Sequence, residues 1–153
     1  MVETQTIIAS GTGAVTTGTY AFKPRERSIF VSSENPKVFV VMPVINLWNE
    51  YTKPALKTII SSHPLRLLII DNGSVDETKD ELTKLMLERN DLDCILNNEN
   101  WGCQKSWNYG MKLGFDNDFN YVFVINNDVL LHPKCIDRLV ERFERKDKKI
   151  EIR

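Results

Sequence analysis

Four short clusters of carboxamide, carboxylate and hydroxyl side chains hold the residues best suited to chemistry: Pro43–Asn46 (PVIN), Asp71–Ser74 (DNGS), Asn97–Gly102 (NNENWG) and Asn126–Asp128 (NND). Asp71 closes an apolar run, and a carboxylate buried there needs hydrogen-bond donors. A ligand base or ribose with N–H or O–H groups would supply them; the competing reading is a carboxylate that caps the next helix. Asp128 follows Asn126 and Asn127 at the end of the most apolar run. Hard divalent cations take oxygen ligands, and Mg2+ typically uses one or two carboxylates plus substrate phosphates. A single Asp beside carboxamides therefore matches a metal completed by a diphosphate. Asn, Asp and Gly are also ordinary turn residues, so the clusters gain meaning only if the fold gathers them on one edge.

The elements between the clusters predict that gathering. Val38–Met42 (VFVVM) is a continuous β-branched and aromatic run, the pattern of a strand buried on both faces. Tyr51–Ser61 places Ala55, Leu56, Ile59 and Ile60 on one helical face. Leu65–Ile70 is a second strand. Ser74-Val-Asp-Glu77 reads as a capping box, with the Ser hydroxyl on the N3 amide and Glu77 reaching back. The helix it opens runs to about Arg89 with Leu82, Leu85 and Met86 inward. Asp93–Leu96 is a weaker strand, Gln104–Phe115 a helix, and Tyr121–Ile125 (YVFVI) a fourth strand. Pro133 opens a last helix with Ile136, Leu139, Val140 and Phe143 inward. Strands alternating with helices imply βαβ units and an α/β fold with a mostly parallel sheet covered on both faces. Ligands of such sheets bind outside the carboxyl ends of the strands, where all four clusters fall.

Residues 1–36 read differently, as an N-terminal arm: Thr and Gly dominate Thr4–Thr19, and strand potential is confined to Thr6–Ala9 and Ser28–Val31. Gly11 and Gly13 lack the spacing of a dinucleotide or P-loop motif. His63 and His132 each precede a proline and read as loop or cap residues. Trp101 and Trp107 could stack on a base or sugar, but helical aromatics more often belong to the core. Cys103 has no basic partner to activate it. Glu141, Glu144 and Asp147 read as a solvated helix face.

With 153 residues, 42% hydrophobic and 27% charged, the chain has the composition of one globular domain. A formal net charge of −1 excludes a general electrostatic grip on nucleic acid. No apolar run is long enough to span a bilayer, and no basic segment precedes an apolar one at the N-terminus as in a secretory signal. The three cysteines, Cys94, Cys103 and Cys135, form no CxxC pair, which points to a reducing, cytoplasmic location.

Taken together, VFVVMPVIN, LLIIDNGSVDET, NENWGCQKSWNYG and YVFVINNDVLLHP resemble, in order and spacing, the N-terminal half of family 2 glycosyltransferases of the GT-A fold. The third segment fits that family's N-x-G-x-x-x-x-x-N-x-G pattern at Asn100, Gly102, Asn108 and Gly110, and the fourth lies where the family has its D-x-D-like metal motif. The resemblance covers roughly Lys37 to Phe143 and assigns residues 37–153 to a Rossmann-like, nucleotide-sugar-binding GT-A subdomain, read as truncated. It implies a nucleotide-diphosphate sugar donor, a Mg2+ or Mn2+ ion, and transfer to a hydroxyl of a saccharide or other acceptor, usually with inversion. By that resemblance the Pro43–Asn46 loop (with Val44) and Asp71–Asn72 would hold base and ribose. Asn100, Gly102 and Asn108 would line the donor pocket. Asp128 would bind the metal bridging the diphosphate, with Asn126 at the position of the family's first Asp and Asn127 among the nucleotide-binding residues.

The sequence departs from the family in two ways. Asn126-Asn127-Asp128 carries one carboxylate where many members have two, and the family's catalytic base lies in a following half that has no counterpart here, so no base is assigned. A non-catalytic, glycosyltransferase-like binding or assembly module is therefore the alternative. A sugar-phosphate nucleotidyltransferase would instead need a Gly-rich basic loop where this chain reads PVINLWNE. The uncovered edge beyond the fourth strand calls for self-association or for a further C-terminal half.

Overall fold

A computed structural model of the chain describes residues 6–8, 15–17 and 35–145. A six-stranded sheet runs in the order β2-β1-β5-β4-β3-β6, built from β1 (Thr6–Ile8), β2 (Val15–Thr17), β3 (Val38–Val44), β4 (Leu65–Asp71), β5 (Leu92–Leu96) and β6 (Tyr121–Val124). The strands β5, β4, β3 and β6 are all parallel. In chain order they stand third, second, first, fourth, so the winding reverses between β3 and β6. β1 pairs antiparallel with β5, Ile7 opposite Ile95, and β2 pairs antiparallel with β1. The strand expected at Thr6–Ala9 is thus present as β1, whereas Ser28–Val31 and Asp147 lie outside the described residues.

The reversal follows from which face each crossover covers. α1 (Lys53–Thr58) and α2 (Thr78–Glu88) lie on one face, burying Ala55, Leu56, Leu82 and Met86 against Val40, Met42, Leu67 and Ile69. α4 (Cys135–Glu144) joins that layer through Ile136 and Val140. α3 (Gly102–Asp116) covers the other face, where Phe39, Val41, Leu68, Ile70 and Ile95 gather Trp101, Trp107, Tyr109 and Leu113. Right-handed crossovers on opposite faces carry the chain to opposite sides of β3. Every residue of β3 is buried, as its unbroken apolar run requires. Each such large aliphatic side chain contributes about 1.5–3 kcal/mol of transfer free energy.

α3 approaches β3 more closely than a side chain would allow. A Cβ on Gly110 would fall 2.8 Å from Val41 Cγ2 and closer still to Cγ1, and Gly114 repeats the arrangement against Phe39 and Val122.

Several element boundaries differ from the sequence expectation, each for a local reason. The first helix, expected over Tyr51–Ser61, is a five-residue π-turn at Trp48–Thr52 followed by α1. The Thr58 hydroxyl donates back to the Ala55 carbonyl (2.7 Å), a bond that competes with helix propagation. Ile59 turns extended, and Ile60 ends exposed rather than inward.

The Ser74 capping box does not form. α2 starts at Thr78, whose N–H is accepted by Asp76 Oδ1 (3.0 Å), while the Ser74 hydroxyl is committed elsewhere. On α4, Leu139 and Phe143 are exposed, because no described strand flanks the outer edge of β6 beside them. The Phe143 ring stacks on Tyr121, with centroids 5.8 Å apart. Glu144 is not simply solvated: it accepts the Tyr121 hydroxyl hydrogen bond. Burial, then this carboxylate, push the phenol up to about 12.

Candidate functional site

Register puts the ends of three strands on one level: Val44 lies opposite Asp71, and Asp71 opposite Leu96. β6 stops earlier, at Val124 opposite Val41, and only the Ile125 N–H still reaches the Val41 carbonyl (3.0 Å). The carboxyl end of β3 therefore extends past its neighbour at the point where strand order reverses, the usual ligand position in such sheets. The loops after β3, β4, β5 and β6 together form this rim.

The loops after β3 and β4 are locked to each other. Ser74 is the hub: its hydroxyl donates to Asp71 Oδ1 and accepts the Asn46 N–H (2.7 Å). Asn46 Oδ1 in turn accepts the Val75 N–H (2.8 Å), and Asp76 Oδ2 accepts the Leu47 N–H (2.6 Å). These bonds accompany left-handed φ values of 51° at Asn46 and 55° at Leu47, a region that asparagine visits but that is uncommon for a bulky residue such as leucine. Asp71 is 0% exposed. Burial pushes its carboxyl above the ordinary range, opposed by the Ser74 hydroxyl and amide and by Lys79, whose Nζ stands 3.9 Å away.

The eleven residues that the sequence assigned to binding fall into different positions on this rim. Pro43 and Val44 are buried, so only their backbone faces the loops, and the Val44 carbonyl accepts the Asn72 N–H (2.8 Å). Asn72 is buried too, with Oδ1 accepting from the Ser106 hydroxyl of α3 (3.0 Å). Asn46, Asp71 and Asn72 thus make the bonds that shape the rim. Asn100 Oδ1 accepts the Gly102 N–H (2.7 Å) to start α3. Asn108 is exposed on α3 and shares a shallow groove with Trp101, Gly102, Lys105 and Tyr109. The Ser106–Asn72 bond ties α3, the helix that carries this groove, to the Asp71–Ser74 loop.

Between them, Gly73 (φ +81°) packs so closely on the Glu99 backbone that a Cβ would stand 3.2–3.3 Å from its atoms. Asn97 Nδ2 is buried nearby in the chain without a hydrogen-bond partner.

In the last loop Asn126 and Asp128 are exposed, while Asn127 turns inward and donates from Nδ2 to Thr52 Oγ1 (3.0 Å). Among the described residues no three His, Cys, Asp or Glu side chains stand together as a metal site. The donor chemistry nonetheless suits a hard cation, with one exposed carboxylate and one exposed carboxamide on the same loop.

The remaining sequence candidates take structural positions. His132 Nδ1 accepts the Lys134 N–H (3.2 Å) ahead of α4. Trp107 packs in the α3-side core with its Nε1 buried and unpartnered. Lys105 Nζ sits 4.4 Å above the Trp101 ring. Cys103 is exposed, and burial pushes the Cys94 thiol far up.

Sequence reasoning missed Thr52, Ser106 and the hub role of Ser74. All three are buried hydroxyl side chains, and burial is not visible in a single sequence.

Comparison with protein-family models matches residues 39–152 to "Glycosyl transferase family 2". Among solved structures, the S. aureus TarS 1–349 crystal structure superposes with a TM-score of 0.58 at 18% sequence identity. The match covers 69% of this chain and 31% of that one, so this chain spans about a third of the structure it resembles. No curated protein gives a match. Among the described residues no helix is long and apolar enough to cross a membrane. The sheet order, the rim at its switch point and the family match over most of the chain converge on one assignment: this α/β chain has the Rossmann-like GT-A fold and belongs to glycosyl transferase family 2.

Proposed function

We propose that residues 37–153 supply the donor side of a glycosyl transfer, binding a nucleotide-diphosphate sugar across the rim with Mg2+ or Mn2+ at Asp128. The observation that carries this reading is the rigid pair of loops at Pro43–Leu47 and Asp71–Asp76, fixed by Ser74 and Asp76 beside the reversal point of the sheet. Backbone groups of the first loop and the edge of the second orient base and ribose. Asp128 and Asn126 offer oxygen ligands to the cation. When bound, the cation neutralises charge that develops on the leaving diphosphate.

The acceptor hydroxyl attacks the anomeric carbon from the opposite side, which inverts the configuration. A base outside the described residues takes its proton. The single carboxylate at the metal position supports a second reading, a module that binds nucleotide sugar without turnover.

Calorimetric titration with UDP, GDP, dTDP and CDP, each with and without Mn2+, tests the donor site. One nucleotide is expected to bind with Mn2+-enhanced affinity, and Asp128→Ala is expected to abolish the enhancement. Loss of an outer-shell partner of a metal ligand already costs about 10–100-fold in metal affinity, and loss of the ligand itself is expected to cost at least as much. Absence of binding by all four nucleotides contradicts the donor-site assignment. Binding without glycosyl transfer or donor hydrolysis in any acceptor assay favours the non-catalytic module.

A further inference from the structure

The π-turn at Trp48–Thr52 touches both halves of the rim. At its entry the Leu47 N–H donates to Asp76 Oδ2 (2.6 Å), and Asn49 Nδ2 donates to Glu77 Oε1 (2.9 Å). At its exit the Thr52 side chain, on a residue that is 0% exposed, accepts from Asn127 Nδ2 (3.0 Å). A second hydroxyl, Thr58 Oγ1, accepts the Leu131 N–H (3.0 Å) while donating to the Ala55 carbonyl (2.7 Å). The loop after β6 is thus pinned at residues 127 and 131, and the exposed Asp128 lies between the pins.

Nothing in core packing calls for this device. The apolar side of the turn is satisfied by Trp48 in the α1/α2 layer. The polar exit contacts a segment 75 residues away. π-turns cost hydrogen-bond geometry and concentrate at functional sites. A carboxylate that must meet a cation and a diphosphate together gains affinity when its loop is held in advance, because less ordering remains for the binding step.

We propose that Thr52 is a positioning residue: through its bond to Asn127 it sets the Asp128 loop relative to the Pro43–Leu47 loop, and so couples nucleotide binding to metal binding. The inference rests on the donor-site reading above and deepens it. It assigns the coupling to a hydroxyl that touches neither ligand.

The test uses the full chain titrated with UDP, GDP, dTDP and CDP, with and without Mn2+, in wild type, Thr52→Val and Thr52→Ser. Val is nearly isosteric but removes the acceptor; Ser keeps it. The expected result is a selective loss: in Thr52→Val the Mn2+ enhancement of nucleotide affinity falls by roughly tenfold, metal-free affinity stays at the wild-type value, and Thr52→Ser restores the enhancement. A merely structural brace would lower both affinities together, and that outcome overturns the proposal. So does an undiminished enhancement in Thr52→Val.

If Thr52→Val does not fold, Asn127→Ala removes the same bond from its half-buried side and must show the same loss of enhancement. A wild-type protein that binds nucleotide with no Mn2+ enhancement removes the metal assignment at Asp128, and this inference with it. Enhancement in wild type that survives both variants removes this inference alone.

Discussion

Gly110→Ala is expected to destabilise the protein, although alanine is the better helix former. In an open helix the exchange would gain about 1 kcal/mol. Here the added methyl would stand 2.8 Å from one γ-carbon of Val41 and closer to the other. Val41 cannot yield, because it is fully buried on β3, flanked by β4 on one side and β6 on the other. Overpacking of this kind costs about 1–3 kcal/mol and occasionally more, so the net effect is a loss.

The damage would also reach the rim. α3 carries Ser106, whose hydroxyl holds Asn72, and any outward shift of the helix stretches that bond. Denaturant unfolding of wild type and Gly110→Ala checks the sign directly. A variant more stable than wild type would show that α3 does not lie against β3 as described.

Ser74→Ala is expected to give a second large effect, with a pH signature. The exchange takes a hydroxyl donor from the buried Asp71 carboxylate and an acceptor from the Asn46 N–H. Leaving such groups unsatisfied costs about 1–3 kcal/mol, and more when one is charged. Burial already holds the Asp71 carboxyl above its ordinary value, with the Ser74 hydroxyl the largest opposing influence.

The folded state therefore keeps this proton to higher pH than the unfolded chain, whose Asp titrates at about 3.9. Stability tied to this group declines as pH rises from the unfolded value through the folded one. Without Ser74 the folded value rises further, so Ser74→Ala should lose more stability at pH 7 than at pH 4. Adding Asp71→Asn should remove that pH difference. Unfolding midpoints at the two pH values, for the single and double variants, provide the measurement. An equal loss at both pH values would mean that Asp71 is not the group Ser74 serves.

The core and the site were legible to different degrees, for physical reasons. Val38–Met42 and Leu65–Ile70 could be read as strands because burial on both faces leaves an unbroken apolar run, and their ends then located the rim without further information. The roles of residues within the rim depended on tertiary contacts. Ser74 followed by Glu77 fits a local capping pattern, yet the nearby buried carboxylate takes its hydroxyl first. Asn127 read as a binding residue beside Asp128, but its amide reaches back to Thr52. The π-turn has no sequence period of its own, so a plain helix was expected where a strut stands. Leu139 and Phe143 fit an inward helical face by spacing, and the side they would cover is the edge of β6 that no described strand flanks.

The donor nucleotide is expected to bind the rim between the β3, β4 and β6 loops. Amide chemical-shift mapping of the 15N-labelled chain tests it most directly, using the same four nucleoside diphosphates with Mg2+ and then Mn2+ as a relaxation probe. Shifts are expected to concentrate at residues 44–47, 72–76 and 126–128, with Mn2+ broadening centred on Asp128. Shifts confined to the α3 groove around Trp101 and Asn108, or Mn2+ broadening away from Asp128, would contradict it.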